Sequence, residues 1–182
     1  MFKNTAGTQS VTADGDSVAL MLDKGQWGGK TLAQVLAAQP ELVTNGTFDS
    51  DTAWTKGTGW TIGSGVATRD ATATASNLSV GSFVEVGKLY QIQWTQSGTG
   101  FVAAYLGTAS GPLLSNNNTP GTYTRLAVAT QTGGVLFRGN TAIESIDNVS
   151  VKEIPGYHRT QATGTSMPKH KTDGTLHWLL YD

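Results

Sequence analysis

Hydrophobic and polar residues alternate most clearly from Leu89 to Thr95, with Tyr90, Ile92 and Trp94 on one side and Gln91, Gln93 and Thr95 on the other. A period of two places successive side chains on opposite faces of a strand, so this segment predicts a strand with one buried face. Phe101 to Leu106, Tyr123 to Ala129, Gly134 to Arg138 and Ser145 to Val151 carry similar short runs. Between them lie Ser97-Gly98-Thr99-Gly100, the stretch Ser115 to Gly121, and Thr132-Gly133. Asn and Gly accept left-handed dihedrals and Pro lacks a ladder donor, so Ser115 to Gly121 is expected to form a loop at the rim. Short strands separated by such turns predict an all-β sandwich.

The pattern differs outside residues 40–154. Before it, Val18 to Leu22 is a continuous apolar run, and Leu32, Val35 and Leu36 fall at i, i+3 and i+4. That spacing predicts a short one-sided helix between Lys30 and Gln39, stopped by Pro40. After it, Pro155-Gly156 breaks the last strand, and a polar stretch leads to an apolar end, Leu176 to Tyr181. Three regions follow: an arm, 1–39; a sandwich, 40–154; and a tail, 155–182, docking near the arm.

Composition narrows the function. With 14% charged residues and 23 glycines, the chain leans toward strands and turns. A formal net charge of −1 gives no general attraction to nucleic acid or to an anionic membrane, and neither nucleic-acid binding nor membrane insertion is expected. The absence of cysteine excludes disulfides and thiolate metal sites. The first residues show no apolar core of leader length, so export by a cleaved leader is not expected.

Two segments, Glu41-Leu42-Val43-Thr44-Asn45-Gly46-Thr47-Phe48-Asp49 and Ser145-Ile146-Asp147-Asn148-Val149-Ser150-Val151, resemble the opening and closing strands of carbohydrate-binding-module jelly rolls. The likeness implies a jelly-roll β-sandwich whose first and last strands lie side by side. The arm, through Ala6-Gly7-Thr8, Val11-Thr12 and Leu20-Met21-Leu22-Asp23-Lys24, together with residues 41–68, is similar to virion proteins of tailed bacteriophages. His158 to Thr163 and Thr172 to Leu176 resemble the linker that precedes a lectin domain in longer members of that group. This resemblance implies a non-enzymatic structural protein, made in the bacterial cytoplasm and located on the virion as a fibre, head spike or capsid decoration. Its partners would be other virion proteins, further copies of itself in a homo-oligomer, and host surface polysaccharide. The alternatives are a host-carbohydrate-binding adhesin module, or a binding module detached from a polysaccharide-degrading enzyme.

Candidate chemistry is sparse. Glu85, Glu144 and Glu153 stand apart in the sequence and are expected to be solvated or turn carboxylates; no nucleophile-elbow motif is present, and no catalytic residue is assigned. The module likeness implies a structural calcium held by Asp49, Asp147 and a backbone carbonyl near Asn45, oxygen donors suited to a hard cation. A sugar site needs an aromatic platform and planar donors that pair with vicinal hydroxyls. With Tyr90, Ile92 and Trp94 inside, the opposed face is expected to carry Gln91, Gln93, Arg125 and Arg138, with Tyr105 as platform. Trp54 and Trp60 are expected to be core or rim packing. Val18, Leu20, Leu22, Leu32, Val35, Leu36, Leu176, Trp178, Leu179 and Leu180 are expected to anchor the protein or join its copies, because each large apolar side chain left in water forgoes about 1.5–3 kcal/mol. Removing residues 1–39 should then leave a folded sandwich that no longer assembles.

Overall fold

A computed structural model describes residues 20–21, 27–71, 74–140, 142–156 and 159–160. The elements run β1 (Leu20–Met21), α1 (Leu32–Ala38), β2 (Trp54–Lys56), β3 (Trp60–Gly63), β4 (Val66–Arg69), β5 (Ser76–Val84), β6 (Leu89–Gly98), β7 (Val102–Gly107), β8 (Leu113–Asn117), β9 (Gly121–Val128), β10 (Gly133–Gly139), β11 (Glu144–Ile154) and β12 (Arg159–Thr160). Two five-stranded sheets, ordered β2-β5-β10-β7-β8 and β3-β4-β11-β6-β9, face one another. All their pairings are antiparallel. This is the two-sheet jelly-roll sandwich, with one short helix before it among the described residues.

The core lies between the sheets. Trp94, buried on β6, stacks on Tyr123 of β9 at 5.2 Å and meets Phe137 of the other sheet at 5.8 Å between ring centroids. Trp54 packs on Phe48 at 4.8 Å, and both Trp54 and Trp60 are buried, as their sequence context predicts. Offset aromatic pairs of this kind each add about 0.5–1.5 kcal/mol beyond the area they bury.

The opening segment is not a full ladder strand. Residues 42–46 run beside β11 and touch it twice: Leu42 N–H donates to the Val151 carbonyl at 3.0 Å, and Val149 N–H donates to the Gly46 carbonyl at 2.9 Å. A bulge in β11 explains the second bond. Between Asp147 and Ser150 the register against β6 shifts, and Asn148 adopts a left-handed φ of 51°. That turn releases Val149 N–H from the β6 ladder. Gly46 then fits because a Cβ there would lie 2.0 Å from the Val149 carbonyl oxygen. The Glu41 carboxylate completes the seam, accepting from Val151 N–H at 2.7 Å and from the Ser150 hydroxyl at 2.6 Å.

Helix α1 starts at a capping box in which Thr31 accepts from Gln34 N–H and the Gln34 side chain returns to Thr31 N–H. Its apolar face lies on the outer side of the β6–β9–β11 sheet. There Leu32, Val35 and Leu36 form a second core with Trp27, Leu89, Leu126 and Ile154. The Trp27 indole N–H donates to the Pro155 carbonyl at 2.9 Å, fastening the arm to the end of β11. Val35 and Leu36 are buried against their own sandwich, and Leu32 is half-buried there. Backbone pairing of Leu20 with Thr160 and of Met21 with Arg159 joins arm to tail. Val18, Leu22, Leu176, Trp178, Leu179 and Leu180 lie outside the described residues.

The expected rim loop Ser115 to Gly121 is shorter than the sequence suggests. Leu113–Asn117 is the edge strand β8, paired with β7, and β9 begins at Gly121. Polar side chains stitch this edge: the Asn117 amide nitrogen donates to the Ser115 hydroxyl at 2.6 Å, and the Tyr123 hydroxyl donates to the Asn117 amide oxygen at 2.9 Å.

Candidate functional site

The residues expected to share one sugar-binding face fall into three places. Gln91 and Gln93 lie on the outer face of the β3-β4-β11-β6-β9 sheet, beside Lys152 and Ser150 in register. One end of that face is occupied by α1, to which the Lys152 ammonium reaches, donating to the Leu36 carbonyl at 3.1 Å. Arg125 pairs with Ile92, a core residue, and so points between the sheets. Its Nε donates to the Leu114 carbonyl of β8 at 3.0 Å, and its guanidinium lies 5.4 Å from the Tyr123 ring centroid. Arg125 ties the two sheets together at their edge. The expected phase is reversed because Leu126, the next residue along the strand, turns outward beneath α1.

Tyr105 and Arg138 lie together on the outer face of the other sheet. Register builds that face row by row: Ser79, Leu136, Tyr105 and Leu113 line up in one row, and Asn77, Arg138, Ala103 and Asn116 in the next. Above them is an open cleft of about 500 Å³, lined by Ala75, Phe101, Ala103, Tyr105, Asn116, Arg138, Gly139 and Asn140. That size falls in the range of small-ligand sites. Phe101 is 47% exposed and Leu113 54%, so apolar surface is left open beside polar donors. Ala103 keeps the floor low between the taller side chains. Sequence alternation does not mark Phe101, Asn116 or Asn140 as site residues, because Asn116 sits in an Asn-rich stretch with turn character and Phe101 and Asn140 flank strand ends.

A buried ion pair underlies one end of this cleft. Glu144 and Arg69 are both fully buried, with Nη1 of Arg69 3.2 Å from Oε1 of Glu144. Arg69 also donates to the Thr74 carbonyl at 2.6 Å, to the Ala142 carbonyl at 3.3 Å and to the Ser76 hydroxyl at 3.4 Å. The carboxylate fills space left by two glycines: a Cβ on Gly139 would lie 1.9 Å from Oε1 and one on Gly100 would lie 1.8 Å from Oε2. Burial pushes the Glu144 carboxyl above its ordinary value, against the opposing pull of the Arg69 charge and hydrogen bond. The expectation of a solvated carboxylate at Glu144 is thus corrected. The pair holds β4 and β11 beneath Gly139, a cleft residue.

The oxygens invoked for calcium are engaged in local bonds. Asp49 accepts from the Thr47 hydroxyl at 2.6 Å, and Asp147 accepts from Asn148 N–H at 2.6 Å and from the Asn148 amide at 2.9 Å. The Asn45 carbonyl accepts from the Trp54 indole at 2.9 Å and from Phe48 N–H at 3.2 Å. As placed, these groups cap the turn and the bulge. Among the described residues no group of three or more His, Cys, Asp or Glu side chains is placed to hold a metal ion.

No protein-family model matches the sequence, and comparison with curated proteins finds no match. Solved structures are similar at low identity. A chain described as "CBM4 structure and function" aligns with 62% of this chain and 99% of its own length, at 15% identity and a TM-score of 0.41. The N-terminal cellulose-binding domain of Cellulomonas fimi β-1,4-glucanase C aligns with 63% of this chain and 97% of its own, at 13% identity and a TM-score of 0.43. The enzymatically active domain of tailspike protein 4 of bacteriophage CBA120 aligns with 63% of this chain but 21% of its own, at 19% identity and a TM-score of 0.44.

Proposed function

We propose that the chain is a non-catalytic carbohydrate-binding module whose ligand lies in the cleft on the β2-β5-β10-β7-β8 sheet. The observation that carries this reading is the cleft itself: two aromatic rings, Phe101 and Tyr105, stand beside two amides and a guanidinium on one sheet face. A pyranose presents apolar C–H faces and rings of hydroxyls, and aromatic rings with planar donors meet both. Tyr105, Asn116 and Arg138 sit on strands, with Phe101 and Asn140 one residue beyond strand ends, which holds these groups in position before the ligand arrives and limits the ordering cost of binding.

Affinity electrophoresis in gels containing soluble polysaccharides tests the reading. Retardation of the wild-type protein should be lost in Tyr105→Ala and kept in Gln93→Ala. Migration unaffected by a broad polysaccharide panel, or loss through Gln93 and not Tyr105, would reject the cleft.

Display of this module on a tailed-phage particle, as a homo-oligomer among other virion proteins, is a second and separate proposal. It is supported by the sequence resemblance of the arm and of residues 41–68. Immunogold labelling of purified particles and sedimentation of the isolated protein are its tests.

A further inference from the structure

We propose that the cleft selects acidic polysaccharide, with a sugar carboxylate paired to the guanidinium of Arg138 while the ring lies against Tyr105; this rests on the carbohydrate-binding reading and names its ligand class. Among the described residues the cleft lining carries one cation and no carboxylate. In register, the neighbours of Arg138 are Asn77 on β5 and Ala103 on β7, so no acid lies directly across either strand. Among the described residues Arg138 has no hydrogen-bond or ion-pair partner, and its side chain is exposed.

Other cations of the sandwich are engaged. Arg69 pairs with Glu144, Lys56 with Asp51, and Lys88 with Glu85 and Glu153, while Arg125 and Lys152 donate to backbone carbonyls. Arg138 stands apart from them at the place where aromatic rings and amides converge. A guanidinium offers a planar fork that matches a carboxylate with two parallel hydrogen bonds, which a neutral hydroxyl pair satisfies less strongly. The small side chain of Ala103 beside it leaves room for a planar group to lie flat on the sheet. With a net charge of −1, the chain gives no general attraction to polyanions, so acid selectivity would originate at this one group.

The test compares matched polymers that differ in charge: polygalacturonate against its methyl ester, and carboxymethyl cellulose against hydroxyethyl cellulose, titrated with wild type, Arg138→Gln, Arg138→Lys and Tyr105→Ala. Wild type should bind at least one acidic polymer about ten-fold or more tightly than its neutral counterpart, the scale of a hydrogen-bonded charge contact. Arg138→Gln should erase that ratio, Arg138→Lys should restore part of it, and Tyr105→Ala should weaken both polymers. Equal affinity for the acidic and neutral members would overturn the acid selectivity and leave carbohydrate binding standing. An acid preference that survives in Arg138→Gln would also overturn it, by placing the charge contact elsewhere. Binding to neither member of either pair would overturn the selectivity and count against the carbohydrate reading as well.

Discussion

Arg69 and Glu144 form an ion pair with both side chains fully buried, joining the end of β4 to the start of β11 at 3.2 Å. Removing one member of a buried pair leaves an uncompensated charge and typically costs about 3–5 kcal/mol. Arg69→Met should therefore lower stability by about that amount at neutral pH. The loss should shrink in acid, where Glu144 can take up a proton, and urea unfolding at the two pH values measures both. Equal losses at both would show that Glu144 is not the group left stranded.

The same carboxyl gives the fold a pH dependence of defined sign. Because its folded pKa is raised, Glu144 binds its proton more tightly in the folded chain than in the unfolded one. Its stabilising contribution is fully present below the ordinary glutamate value and is lost as pH rises through the raised value. Wild type should thus gain stability relative to Glu144→Gln as pH falls from neutral toward that ordinary value. A difference between the two proteins that stays constant across the window would contradict the raised pKa.

At the seam between the opening segment and β11, one added methyl group should suffice to separate the two. A Cβ on residue 46 would lie 2.0 Å from the Val149 carbonyl oxygen, and overpacking of this kind costs about 1–3 kcal/mol or more. Gly46→Ala should lower the urea midpoint with little change in m-value, and amide exchange should quicken at Val149. Unchanged exchange there would show that the contact forms without the close approach.

Residues 27–38 of the arm pack on the sandwich. Trp27 is buried and bonded to the Pro155 carbonyl, and Leu89, Leu126 and Ile154 lie beneath it and α1. Trp27→Ala should cost about 3–5 kcal/mol. Deleting residues 1–39 should yield a destabilised sandwich that binds a hydrophobic dye, in place of the intact sandwich that the sequence pattern suggests. A truncation as stable as the full chain would restore a purely external role to the arm.

Strand β6 was legible because its core-facing residues, Tyr90, Ile92 and Trp94, are large and its other face at Gln91 and Gln93 is polar. Strand β9 was not. Leu126 and Val128 turn toward α1 while Tyr123 and Ala127 turn toward the sandwich core, so apolar residues occupy both faces and the alternation has no single reading. Alternation told correctly that Arg138 faces outward, but period two carries no information about which sheet a strand joins. That is why Gln91 and Arg138 were expected together and lie on opposite sides of the molecule. Strands β3 and β4, each of four residues, and the Asn-rich β8 lacked an apolar run to mark them; pairing with longer neighbours makes them strands. Burial of Glu144 could have been suspected only from its glycine neighbours in space, Gly100 and Gly139, which sequence does not bring together.

The most direct test of the account is a two-dimensional NMR titration of the full chain with an oligosaccharide from whichever polymer retards it in gels. The cleft predicts that amide shifts move first and furthest at Phe101, Tyr105, Asn116, Arg138 and Asn140, with Gln91 and Gln93 unmoved. Shifts concentrated on the Gln91 and Gln93 face, or spread evenly over the surface, would contradict it.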